Sequence, residues 1–365
     1  MTAAPQPRPG IMDIAAYVGG ESSAPGVDRV MKLSSNEGAL GPSPKAMEAY
    51  AALAPDLHRY PDGGAVSLRD ALAARWGLDP ACLVCGAGSD ELIGLLTKAY
   101  AGPGDEVLFC AHGFLMYAIA AKSVGATPVK VPEKPGFVMD VDALLAAVTT
   151  RTKILFLANP NNPTGTYLPA SEVARLHAGL PSSVLLILDA AYAEYVSDPA
   201  YTAGAELVAR AQNVVMLRTF SKIYGMAALR LGWGYCSPAV ADVLNRVRGP
   251  FNVGAAAQAA GAAALADEGF VTAVRAHNDK WLPYLSEKMT AAGLTVVPSV
   301  GNFLLVQFPG GALSADAGYD YMAQRGIIVR KMGAYGLPDH LRITVGTEEE
   351  VRATADALTA FMRRN

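Results

Sequence analysis

Three groups of polar residues stand directly after short apolar runs. Asn159-Pro160-Asn161-Asn162-Pro163-Thr164-Gly165 follows Lys153–Ala158, Asp189 follows Val184–Leu188, and Thr219-Phe220-Ser221-Lys222 follows Val214–Arg218. Apolar runs bounded by turn residues read as strands of a parallel sheet, and ligands collect beyond the carboxyl ends of such strands. A lysine amine placed there can act as nucleophile or carry a proton, and a carboxylate can hold a cation against it. Upstream, Gly86-Ala87-Gly88-Ser89-Asp90-Glu91 opens an apolar-periodic run. Backbone N–H groups at such a helix start can cradle an anion, with Gly88 allowing close approach and Ser89 and Asp90 bringing the donors. Taken singly, each feature has a plainer reading: a solvated lysine, a helix-capping aspartate, a turn, a helix start with nothing bound. Their order and spacing together point to one site.

The elements that must position these residues alternate between strand and helix, which indicates an α/β fold with a mainly parallel sheet. Candidate strands are Glu106–Cys110, Thr127–Val131, Lys153–Ala158, Val184–Leu188, Val214–Arg218 and Leu231–Cys236. Gly254–Ala266 reads as a buried helix and Asp279–Ala292 as an amphipathic one. Strand-like Thr295–Val297, Phe303–Gln307, Gly326–Arg330 and Leu341–Val345 follow, then a helix from Glu348. The expected organisation is an N-terminal arm over residues 1–35, a large domain over 36–260 and a smaller α/β domain over 261–365.

Composition narrows the function class. Of 365 residues, 52% are apolar and only 17% charged, a balance suited to a packed globule. The net charge of −3 comes with no basic stripe, which argues against nucleic acid. Met1–Gly10 is Pro-rich rather than a basic start leading into an apolar run, and no apolar segment reaches spanning length. The expectation is a cytoplasmic protein with no membrane contact. Four cysteines do not make a disulfide framework. Cys82-x-x-Cys85 has no second pair to complete a metal site and reads as a strand entering a turn, so no metal is expected.

At Asn162-Pro163-Thr164-Gly165, Asp189-x-x-Tyr192, Ser221-Lys222 and Arg230 the sequence resembles the fold-type I aminotransferases of pyridoxal 5'-phosphate, over about Lys32 to Leu358. The resemblance implies a large domain with a mostly parallel seven-stranded sheet, a smaller α/β domain, and a homodimer with shared active sites. It implies that Lys222 bonds the cofactor aldehyde and then moves the proton, that Asp189 pairs with the pyridine nitrogen, and that Asn162 and Tyr192 donate to the phenolic oxygen. Gly88, Ser89, Asp90, Thr219, Ser221 and Arg230 would hold the phosphate, Phe114 would stack on the ring, and Tyr60 would reach the phosphate of the neighbouring subunit. His112 has no metal-spaced partner and reads as a bystander.

Finer features resemble the histidinol-phosphate aminotransferases: Leu33-Ser34-Ser35-Asn36-Glu37, Arg59-Tyr60-Pro61-Asp62, Gly88-Ser89-Asp90-Glu91, Phe220-Ser221-Lys222-Ile223-Tyr224-Gly225, Gly249-Pro250-Phe251-Asn252-Val253 and Leu341-Arg342-Ile343-Thr344-Val345-Gly346-Thr347. That resemblance implies transfer of an amino group between L-histidinol phosphate and 2-oxoglutarate. Two anionic substrates call for planar cations, with Arg342 and Arg330 as candidates and Tyr17 and Asn36 beside them. Lys331 stands where the family often has proline, adding charge that suits a phosphate. The changed loop also leaves an aromatic amino acid aminotransferase as an alternative, with a phosphothreonine decarboxylase as a more distant one.

Overall fold

The computed structural model describes residues 5–23, 26–27 and 29–364. Met1–Ala4, Ala24, Pro25 and Asp28 of the expected arm, and Asn365 of the expected small domain, lie outside the described residues. In chain order, β1 (Met31–Lys32) precedes β2 (Leu83–Gly86), β3 (Glu106–Cys110), β4 (Thr127–Val131), β5 (Thr152–Ala158), β6 (Leu185–Asp189), β7 (Val214–Thr219) and β8 (Gly232–Cys236). Then come β9 (Thr295–Val297), β10 (Phe303–Gln307), β11 (Ile327–Ile328), β12 (Arg330–Lys331) and β13 (His340–Thr344).

Seven strands form one sheet in the order β2-β8-β7-β6-β5-β3-β4. Pairing is parallel from β4 through β7, and β8 runs antiparallel to both its neighbours. In β5, Ile154, Leu155, Phe156 and Leu157 are all buried, as a strand covered by helices on both faces requires. The parallel arrangement sends β5, β6 and β7 out of the sheet on the same side. Asn159, Asp189 and Thr219 therefore emerge as neighbours.

A second sheet, β12-β13-β10-β9, is antiparallel, and β1 pairs in parallel with β11. A separate apolar cluster packs behind it, with Trp281, Leu285, Leu304, Ile343 and Leu358, and it takes in Leu33 from the other end of the chain.

Two local expectations change. Gly326–Arg330 is not one strand, because Ile327–Ile328 bonds to β1 and Arg330–Lys331 to β13. The helix expected from Asp279 begins at Glu268 and runs to Ala291. Val274, Asn278, Trp281, Leu285 and Met289 recur along it at helical spacing and are buried, and this burial carries it through Pro283. Among the described residues no helix is long and apolar enough to cross a membrane.

Candidate active site

Beyond the ends of β5, β6 and β7 lies a cavity of about 340 Å³. Lys222, Asp189, Tyr192, Asn162, Thr219, Ser221, Arg230, Ser89, Asp90, Phe114, Asn36, Tyr17, Arg330 and Arg342 all line it. Gly88 precedes Ser89 and lies against the Arg230 guanidinium. Tyr60 lies elsewhere: it is 82% exposed and stacks on Phe251 with ring centres 4.6 Å apart.

Lys222 reaches into this space and donates to the Ser35 carbonyl at 3.0 Å. Burial, reinforced by Arg342 and Arg230, lowers its pKa to about 7 against the opposing pull of Glu37 and Asp189. A substantial share of the amine is then unprotonated at neutral pH, as a nucleophile or base requires.

Asp189 ends β6. Its Oδ2 accepts from the Tyr117 hydroxyl at 2.7 Å, while Oδ1 is buried with no hydrogen-bond partner. Burial raises its pKa to about 6 against the Tyr117 hydrogen bond. A buried carboxylate oxygen without a partner is costly, and on a residue that lines a cavity it invites a cationic N–H.

A helix start and a guanidinium, the pieces that can cradle an anion, also border the cavity. The helix Ser89–Tyr100 begins there, with Gly88 at φ 87° in front of it. A Cβ at Gly88 would collide with Asp90 Oδ1 and Arg230 Nη2, so only glycine leaves the cradle open. Arg230 donates to Asp90 Oδ1 at 2.6 Å and to Ser221 Oγ at 3.3 Å, and Thr219 Oγ1 accepts from the Ser221 N–H at 3.1 Å.

Arg342, buried on β13, donates to Asn162 Oδ1 and to the Ser34 carbonyl, leaving its Nε without a partner. Arg330 donates to the Val18 carbonyl at 2.7 Å and lies 5.8 Å from the centre of the Tyr17 ring. The residue after it does not add charge to this cavity, contrary to the sequence reading: Lys331 pairs with Asp316 at 2.8 Å. His112 is bound to Glu133 through both its backbone N–H and its ring, each at 2.8 Å.

Tyr117 and Tyr335 line the cavity as well and were not singled out from sequence, and Glu37, read there only as part of a motif, joins them. Tyr117 follows Phe114 by three residues, a helical spacing, and its ring stacks on Phe156 at 4.4 Å. A tyrosine in an otherwise apolar helical stretch was the available signal, since a buried phenol needs a partner.

The family model for class I and II aminotransferases matches residues 28–358. The histidinol-phosphate aminotransferase of Paramagnetospirillum magneticum is 64% identical, over 98% of this chain and 99% of that protein. That of Rhodospirillum centenum is 58% identical over the same shares. Among solved structures, the crystal structure of histidinol-phosphate aminotransferase from Sinorhizobium meliloti in complex with pyridoxal-5'-phosphate superposes with a TM-score of 0.90 at 30% identity, covering 99% of each chain. With the strand ends, the anion cradle and these matches in agreement, the chain belongs to the class I and II aminotransferase family.

Proposed function

We propose that the protein transfers an amino group between L-histidinol phosphate and 2-oxoglutarate, giving imidazole acetol phosphate and glutamate, with pyridoxal 5'-phosphate as cofactor. The observation that carries the cofactor assignment is the unpartnered Oδ1 of Asp189, on a residue that lines the same cavity as Lys222. The residues present fit the group. Asp189 would meet the protonated ring nitrogen, Ser89, Asp90, Thr219, Ser221 and Arg230 would hold the phosphate, Phe114 would face the ring, and Asn162 and Tyr192 its phenolic oxygen. When bound, the cofactor supplies an electron sink for the charge left on the substrate carbon.

The protein's own residues do the rest. Lys222 Nζ takes the proton from the substrate carbon that bears the amino group. Arg342 and Arg330 orient the substrate anions, with Tyr17 and Asn36 alongside. Identity of 57% to 64% with proteins named histidinol-phosphate aminotransferases supports the choice of substrate. The test is kcat/KM for histidinol phosphate against phenylalanine, each with 2-oxoglutarate. At least a tenfold advantage for histidinol phosphate is expected, a gap of about 1.4 kcal/mol. A preference for phenylalanine would assign the aromatic activity instead.

Gly88→Ala should weaken cofactor binding by roughly tenfold, because the methyl fills the cradle and positive φ strains a non-glycine residue. Titrating the apoprotein with pyridoxal phosphate by fluorescence measures this directly. Unchanged affinity would place the phosphate elsewhere.

The reading extends to a cytoplasmic homodimer in which Tyr60 serves the neighbouring subunit. Its exposed ring, outside the cavity of its own chain, supports that arrangement. Light scattering behind size exclusion should return twice the chain mass, and a monomer would remove Tyr60 from the site.

A further inference from the structure

Asn36 is buried and held at φ 54°, in the left-handed region. Its backbone N–H donates to Thr344 Oγ1 at 3.0 Å, the Thr344 hydroxyl donates to Asn36 Oδ1 at 3.1 Å, and Asn36 Nδ2 donates to the Tyr192 hydroxyl oxygen at 2.9 Å. Asn302 Nδ2 fastens the same turn, donating to the carbonyls of Asn36 and Glu37 at 3.2 Å each.

Counting protons along this chain gives it a direction. The Thr344 hydroxyl has one proton, and that proton goes to Asn36 Oδ1. The amide is thereby held with its NH₂ end toward Tyr192. The Tyr192 oxygen receives a proton from Asn36, so its own O–H must point away. Among the described residues that O–H has no acceptor, and Tyr192 lines the cavity.

We propose that Thr344 is a positioning residue for the amino transfer: by fixing the Asn36 amide it aims the Tyr192 hydroxyl proton into the cavity, at the phenolic oxygen of the bound cofactor. The inference rests on the pyridoxal phosphate reading above. Without the Thr344 proton, the Asn36 amide is free to turn over. Its Oδ1 then accepts from Tyr192, and the hydroxyl is drawn off the cofactor. Thr344 lies two residues beyond Arg342 on β13, so one strand carries both the substrate's cation and the start of this relay.

The experiment follows the absorbance of the bound cofactor against pH in the wild-type holoenzyme and in Thr344→Val, Thr344→Ala and Thr344→Ser. A donor to the phenolic oxygen stabilises its anionic form, so losing that donor raises the pH of the transition. Thr344→Val should shift it upward by about one unit, with kcat falling more than KM changes. Thr344→Ser should stay at the wild-type value. In a Tyr192→Phe background the Thr344→Val shift should vanish, an outcome that a merely structural role for Thr344 would not produce. The other titratable or charged groups around Tyr192 are Arg342, Asp189 and Tyr335, which act on its hydroxyl, and Lys222, whose amine lies 5.8 Å from the ring centre, and none of them is altered in these variants. If Thr344→Val does not fold, Thr344→Ala removes the same hydroxyl with less bulk and carries the same expectation. A Val or Ala variant titrating with the wild type, or a shift that survives in Tyr192→Phe, overturns the relay. A wild type with no cofactor absorbance overturns the functional reading instead.

Discussion

Lys222→Ala should lower transamination by roughly a thousandfold or more while the protein still folds and still takes up the cofactor. Lys222 Nζ is the proposed base of this site, and a positioned base contributes about 10²- to 10⁴-fold. Its other proposed duty, bonding the cofactor aldehyde, is lost with it. Folding should survive because the amine's one direct hydrogen bond is to the Ser35 carbonyl, and its burial disfavours the charged form rather than anchoring the fold. Single-turnover formation of the 2-oxo acid measures the loss. A variant within tenfold of the wild type would remove Lys222 from the centre of the reaction.

Asp189→Asn should cost about a hundredfold in kcat with a much smaller change in cofactor affinity. The amide oxygen can still accept from Tyr117, so the buried hydrogen bond at 2.7 Å is kept. What disappears is the negative charge proposed to meet the ring nitrogen. A fixed charge that meets developing charge is worth on the order of 10² to 10³ in rate. The sign of the pKa shift bears on this. Burial raises Asp189 to about 6, so a cation at its unpartnered Oδ1 would bring the pKa back down and keep the carboxylate ionised at neutral pH. Full activity in Asp189→Asn would show that the charge has no part in the chemistry.

The main sheet was legible in the sequence because its strands are short, apolar and separated by turn residues. Glu106–Cys110 and Thr127–Val131 match to the residue, Val184–Leu188 is shifted by one residue at each end, and the others differ by one residue at one end. The polar clusters were legible for the same reason, since a strand's last apolar residue marks where the ligand side begins. Gly326–Arg330 was misread because its apolar pattern is continuous while its pairing is not. The change from β1 to β13 is set by strands at the two ends of the chain. The first turns of the helix at Glu268 were missed because Gly269 and the charges around it look like a loop until Val274 is buried against the core. Tyr117 was missed because its importance comes from Asp189, 72 residues away. The contacts of Asn36 with Thr344 span 308 residues, and no local pattern encodes them.

Strand order also sets a timetable for the newborn chain. β2 leads into the Gly86–Gly88 turn and, among the described residues, pairs with β8 alone, so the edge of that turn waits until Gly232–Cys236 has been synthesised. β1, which leads to Asn36, finds its partner only at Ile327–Ile328. Closing such long loops is slow. On the ribosome, then, a chain stalled before β11 would lack the strand that pairs with Met31–Lys32 and leave that edge open to chaperones and proteases.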